Sequence, residues 1–177
     1  MSVARYWAVV PAAGIGARMQ SEVYGNRPKQ YLSLADKTII EHSISKLLQI
    51  ECLEKVAVSL HADDAHWARL PLAADPRLMT VEGGRERCDS VLNGLQALSP
   101  WAQANDWVLV HDAARPCVTV EAIQKLISRV SDHKVGGILG VPVSDTIKRA
   151  DGKAIAATVD RRFLWQAHTP QIFRYGL

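Results

Sequence analysis

The sequence has too few cysteines for a disulfide scaffold. Cys52, Cys88 and Cys117 are an odd number at wide spacings, and no CxxC pair offers a metal site. Such thiols fit a reducing cytoplasm. Long hydrophobic runs are missing as well. No stretch approaches the roughly 18 uninterrupted apolar residues that a membrane span needs, and the start, MSVARYWAVVPAAG, passes straight into a strand-like segment rather than a cleavable leader. A soluble, unexported protein with no membrane partner is expected. Nor is there an excess of one charge: 21 Lys and Arg against 18 Asp and Glu leave a net charge of +3, spread in ones and twos, which is too little to argue for a nucleic-acid partner. No repeat or low-complexity tract occurs. What remains is 177 residues, 48% hydrophobic and 22% charged, a composition that suits one globular core and is too apolar for disorder.

Short β-branched runs alternate with segments of helical period, the signature of an α/β domain with a mostly parallel sheet. Strands are expected at Tyr6 to Val10, Val56 to Leu60, Leu78 to Val81, Trp107 to Val110 and Ile138 to Val143, each apolar on both faces and buried between helix layers. Thr38-Ile39-Ile40-Glu41 is a capping box, so a helix should begin there and bury Ile40, Ile44, Leu47 and Leu48. Two further stripes are expected in the core: Cys88, Val91, Leu92, Leu95 and Leu98, then Ile123, Leu126, Ile127 and Val130. Asp151-Gly152 separates two β-compatible arms from Thr146 to Val159. This reads as a hairpin that either lies on the surface or projects to pair with another chain.

Pro11-Ala12-Ala13-Gly14-Ile15-Gly16-Ala17-Arg18-Met19 follows the first strand, and its small residues let backbone N–H groups approach an anion. A phosphate loop is the natural reading. A dinucleotide fingerprint needs a glycine where Met19 stands, and the Gly-Lys-Ser/Thr ending of a P-loop is missing, so both common nucleotide motifs fail. Arg18 and the Lys29 of Pro28-Lys29-Gln30-Tyr31 either flank this loop to meet a polyphosphate or are solvated surface cations. His111-Asp112-Ala113-Ala114-Arg115-Pro116 stands at the carboxyl end of a strand, where open α/β sheets bind ligands. Asp112 can face a Mg²⁺–phosphate complex or substrate hydroxyls while Arg115 clamps a phosphate, or the two can pair and fix the turn. Gly83-Gly84-Arg85-Glu86-Arg87-Cys88-Asp89-Ser90 opens a helix, and Gly84 and Ser90 can read the edge of a base. The six histidines have no metal-ligand spacing and are expected to be structural or exposed.

Taken in order, PAAGIGARM, PKQY, GGRERCDSV, VHDAARP, PVSDTIKR, VDR and TPQ closely resemble the 2-C-methyl-D-erythritol 4-phosphate cytidylyltransferase family, over essentially the whole chain. The resemblance implies a Rossmann-like α/β nucleotidyltransferase fold, a single domain over 1–177 with a β-arm at about 144–161, and a homodimer formed through that arm. It implies that CTP reacts with methylerythritol phosphate, with Mg²⁺ screening the anions. Pro11, Ala12, Ala13, Gly14 and Gly16 would wrap the triphosphate, and Arg18 and Lys29 would stabilise charge on the α-phosphate. Gly84, Arg85 and Ser90 would recognise cytosine. Asp112, Arg115 and Thr169 would hold the erythritol phosphate, steadied by Thr146 and Arg161 from the partner's arm. Ser21 to Arg27 is a few residues longer than the family pattern before PKQY. Family members also run on past TPQ, so the chain is expected to lack the last part of the family domain, binding CTP with weak or no turnover. Within the same class, another sugar-phosphate nucleotidyltransferase is the competing reading. From a different class, a nicotinamide-dependent oxidoreductase is disfavoured by Met19.

Overall fold

The computed structural model describes residues 4–14 and 27–177. Gly16, Arg18 and Met19 lie outside them. In chain order the elements are β1 (Tyr6–Pro11), β2 (Ser33–Leu34), β3 (Lys37–Thr38), α1 (Ile39–Leu48), β4 (Leu53–Leu60), β5 (Leu78–Glu82), α2 (Arg87–Leu98), β6 (Trp107–Val110), α3 (Val120–Val130), β7 (Gly136–Pro142), β8 (Ile147–Asp151), β9 (Ala154–Val159) and β10 (Trp165–Arg174). Six strands form the main sheet in the order β5-β4-β1-β6-β10-β7. The first four run parallel, and β10 is antiparallel to both neighbours. All five expected strands are present, within a few residues of their expected ends.

Side chains of β1 alternate across the sheet, as the strand period of two requires. Ala8 and Val10 face the layer that buries Ile40, Ile44 and Leu47 of α1 with Ile123, Leu126 and Val130 of α3. Trp7 and Val9 face the opposite layer, with Leu98 of α2. Full burial of an aliphatic side chain of this size contributes roughly 1.5–3 kcal/mol, so these two layers hold the strand ends in place. The capping box at Thr38 is formed: its hydroxyl accepts from the Glu41 amide and the Glu41 carboxylate accepts from the Thr38 amide at 2.9 Å.

Two expectations about burial are corrected. Cys88 is exposed and Leu92 is 52% exposed, because α2 turns Ser90, Gly94 and Leu98 toward the sheet instead. Gly94 sets that orientation, since a Cβ there would stand 2.5 Å from Val9 Cγ1, and only glycine lets the helix approach so closely. The last strand, β7, is not buried on both faces. It is an edge, with Ile138 and Val141 exposed. The hairpin forms as a separate two-stranded sheet of β8 and β9, and Gly152 takes a φ of +59° at the start of its turn. Among the described residues no helix is long and apolar enough to cross a membrane.

Candidate active site

Chain order runs outward from β1 to β4 and β5, then returns to β6 on the other side, so the strand order reverses between β1 and β6. A crevice opens at the carboxyl ends of strands at such a reversal. Here it is a cleft of about 800 Å³. Pro11 to Gly14 line it from β1, Lys29 from the turn that follows the loop, Gly84, Arg85 and Ser90 from the start of α2, and Asp112 and Arg115 from the segment after β6. Ten of the residues expected to act together are therefore neighbours in space.

The loop after β1 is gripped from two sides. The Ala12 amide donates to the Ser59 carbonyl at 2.8 Å, and Gln30 Nε2 donates to the carbonyls of Ala12 at 2.8 Å and Gly14 at 3.3 Å. Gln30 is buried, and Tyr31 beside it donates to Asp64 at 2.7 Å. These two anchors fix the short 3₁₀ turn Lys29–Tyr31, which leaves the exposed Lys29 at the cleft. On the facing wall the Gly84 amide donates to Ser90 Oγ at 3.1 Å, and the Ser90 hydroxyl donates to the Glu86 carbonyl at 3.2 Å. Ser90 thus closes the Gly-Gly turn, its hydroxyl oxygen also lying 3.5 Å from the Gly84 carbonyl. A Cβ on Gly83 would sit 2.3 Å from that of Ala13, so the two walls meet closely there.

Asp112 bridges two guanidinium groups. Arg87 approaches Oδ1 at 2.8–2.9 Å and Arg115 Nε donates to Oδ2 at 2.9 Å. Burial pushes the Asp112 carboxyl up, but hydrogen bonds from Arg115 and Arg87 outweigh it and hold the carboxyl below its ordinary value. The Asp112–Arg115 pairing expected as one alternative is therefore present, with Arg87 as an additional partner. Both carboxylate oxygens are engaged, and among the described residues no group of three His, Cys, Asp or Glu side chains is placed to hold a metal.

Thr169 lies behind this pair rather than in the cleft lining. It is buried, and its Oγ1 accepts from the Asp112 amide at 3.1 Å and lies 3.1 Å from His111 Nδ1. Thr146 and Arg161 are not brought to the cleft of their own chain. Both are exposed on the arm, where Arg161 donates to the Ser144 carbonyl. Gln30, Arg87 and His111 stand inside the quoted motifs PKQY, GGRERCDSV and VHDAARP, yet the sequence does not mark them. A buried amide and a second guanidinium on Asp112 depend on contacts between distant segments.

Comparison with known proteins agrees with this fold. The family model described as 2-C-methyl-D-erythritol 4-phosphate cytidylyltransferase matches residues 6–177. The 2-C-methyl-D-erythritol 4-phosphate cytidylyltransferase of Pseudomonas putida (strain GB-1) is 53% identical over 173 residues, covering 97% of this chain and 72% of that protein. That of Pseudomonas entomophila (strain L48) is also 53% identical, over 175 residues, with the same coverage. Among solved structures, a 4-diphosphocytidyl-2C-methyl-D-erythritol synthase superposes with a TM-score of 0.82 at 38% identity, covering 98% of this chain and 76% of the other. The Francisella tularensis 2-C-methyl-D-erythritol 4-phosphate cytidylyltransferase gives 0.81 at 31% identity, covering 98% and 74%. On these matches, and with the nucleotidyltransferase fold they share, the chain belongs to the 2-C-methyl-D-erythritol 4-phosphate cytidylyltransferase family.

Proposed function

We propose that the chain transfers the cytidylyl group of CTP to 2-C-methyl-D-erythritol 4-phosphate, releasing pyrophosphate and forming 4-diphosphocytidyl-2-C-methyl-D-erythritol for isoprenoid biosynthesis. The observation that carries this reading is the meeting, in one cleft, of the small-residue loop, the Gly-Gly turn closed by Ser90, and Asp112 paired with Arg115. Pro11 to Gly14, with Gly16, wrap the triphosphate. Arg18 and Lys29 stabilise its α-phosphate, while Gly84, Arg85 and Ser90 recognise cytosine. Asp112 and Arg115 hold the acceptor, supported by Thr169.

An oxygen of the acceptor phosphate attacks the α-phosphorus, and the bond from that phosphorus to the oxygen of the leaving pyrophosphate breaks. A phosphate monoester is already a competent nucleophile at neutral pH, so no general base is needed. What the protein must do is align two anions that repel each other and neutralise the charge that grows between them. Mg²⁺ enters with the triphosphate, as part of the substrate.

The test is pyrophosphate release. It should appear with CTP and methylerythritol phosphate, stop on chelation of Mg²⁺, and be absent with other sugar phosphates. Release with a different sugar phosphate instead would move the chain to another nucleotidyltransferase reaction, and stabilisation by NAD but not CTP would move it out of the class.

Two assignments complete the reading. A homodimer forms through the arm, because Ile155, Phe163 and Trp165 leave apolar surface exposed at 64–84% along and beside β9, and the partner's arm delivers Thr146 and Arg161 to the acceptor. Sedimentation should show a dimer at micromolar concentration that dissociates in a Trp165→Glu, Phe163→Glu variant. A monomer before substitution would remove the role of the arm. The three unpaired, exposed cysteines favour the cytoplasm, to be checked by fractionation of producing cells.

A further inference from the structure

His111 follows β6 directly and is 0% exposed. A histidine buried so fully must have both ring nitrogens satisfied or leave a polar atom stranded. Its Nε2 lies 3.2 Å from the Arg115 carbonyl. A carbonyl only accepts, so Nε2 carries the proton, and in a neutral ring Nδ1 then offers a lone pair. The Thr169 hydroxyl, 3.1 Å away, donates to it. The same hydroxyl oxygen accepts the Asp112 amide at 3.1 Å. Every atom in the chain from the Asp112 amide through Thr169 and His111 to the Arg115 carbonyl has one consistent role. The opposite tautomer would set the lone pair of Nε2 against that of the carbonyl.

This chain closes a ring. The Arg115 amide donates to the Asp112 carbonyl at 3.2 Å, making the 112–115 segment a turn, and the relay holds that turn at both its first amide and its last carbonyl. Ser43 Oγ of α1 holds the middle, donating to the Ala113 carbonyl at 2.8 Å. The turn's two charged side chains, Asp112 and Arg115, line the cleft and pair at 2.9 Å. Their placement is thus set from beneath by an imidazole that does not line the cleft.

We propose that His111 is a positioning residue of the acceptor pocket, its Nε2–H tautomer tying the Asp112–Arg115 turn to Thr169 of β10 and thereby setting where those two side chains meet a phosphorylated polyol. Burial supports a neutral ring by pushing the imidazole pKa down to about 4. The proposal rests on the assignment of Asp112 and Arg115 to the acceptor.

The test separates packing from hydrogen bonding. In ¹⁵N spectra of the 177-residue protein, His111 should show a protonated Nε2 and an unprotonated Nδ1; the reverse tautomer overturns the proposal. His111→Phe keeps the buried volume but no relay. It should weaken binding of methylerythritol phosphate, measured calorimetrically with a non-hydrolysable CTP analogue bound, by about tenfold or more, and change the affinity for the analogue less than threefold. Thr169→Val should do the same, and it reports even if the Phe variant does not fold, whereas Thr169→Ser, which keeps the hydroxyl, should stay near the parent protein. Folded Phe and Val variants that bind the acceptor normally, or that lose both ligands equally, overturn the proposal. A parent protein that binds the analogue but no methylerythritol phosphate, while showing the expected tautomer, instead overturns the assignment of the acceptor, and the positioning role falls with it.

Discussion

Lys29→Ala is expected to lower kcat by roughly 10²–10³-fold, about 2.7–4 kcal/mol of lost transition-state stabilisation, while the dissociation constant for CTP changes by less than about fivefold. The reason lies in where the charge is placed. Gln30 and Tyr31 are anchored to the loop carbonyls and to Asp64, and this leaves Lys29 exposed at the cleft on a short, fixed turn. On the proposed assignment the ground-state triphosphate is shared among backbone amides and its own Mg²⁺, so one ammonium adds little to affinity. As the acceptor oxygen closes on the α-phosphorus, the charge between the two anions grows, and a cation held there is then worth most. Steady-state kinetics beside calorimetric CTP binding would read the difference. Equal losses in both would make Lys29 a ground-state contact only.

Asp112→Asn has an effect of comparable size and decides between two physical readings of the pocket. Removing a negative charge from between Arg87 and Arg115 makes the cleft more positive, so if attraction alone held the acceptor, the variant would bind methylerythritol phosphate more tightly. The geometry points the other way. Both Asp112 oxygens accept from guanidinium groups, and an amide in that place turns an NH₂ donor toward one of them, which releases that arginine from its fixed direction. The expected outcome is a fall of about 100-fold in kcat/KM for methylerythritol phosphate, near 2.7 kcal/mol, with CTP affinity little changed. Tighter acceptor binding would show that Asp112 acts as a brake on affinity rather than as an aligning group.

Some of this was legible from single segments. β1 and β6 carry unbroken apolar runs because strands covered on both sides admit little else, and β6 is found at Trp107–Val110 as expected. Thr38 and Glu41 are three residues apart, so their mutual capping needs no distant partner. The stripe of α2 misled for a related reason: Val91, Leu92 and Leu95 keep helical spacing, but Gly94, with no side chain to enter a hydropathy pattern, is the residue that meets Val9. β10 went unread because Trp165 to Arg174 has no simple alternation. Its register shifts between Ala167 and Gln171, so its two halves pair differently with β7.

The order of small residues, caps and apolar runs was enough to specify an α/β sheet and a phosphate-compatible turn after its first strand, and the motifs from PAAGIGARM to TPQ carried the resemblance to the family, since each is written in neighbours along the backbone. Tertiary structure alone decided that Arg87 reaches across 25 positions to Asp112, that Gln30 holds the loop, and that His111 and Thr169, 58 positions apart, share a hydrogen bond beneath the cleft. Directional bonds between segments depend on where the strands stop and how closely the helices approach them. Those distances are set by packing of the whole sheet rather than by local sequence.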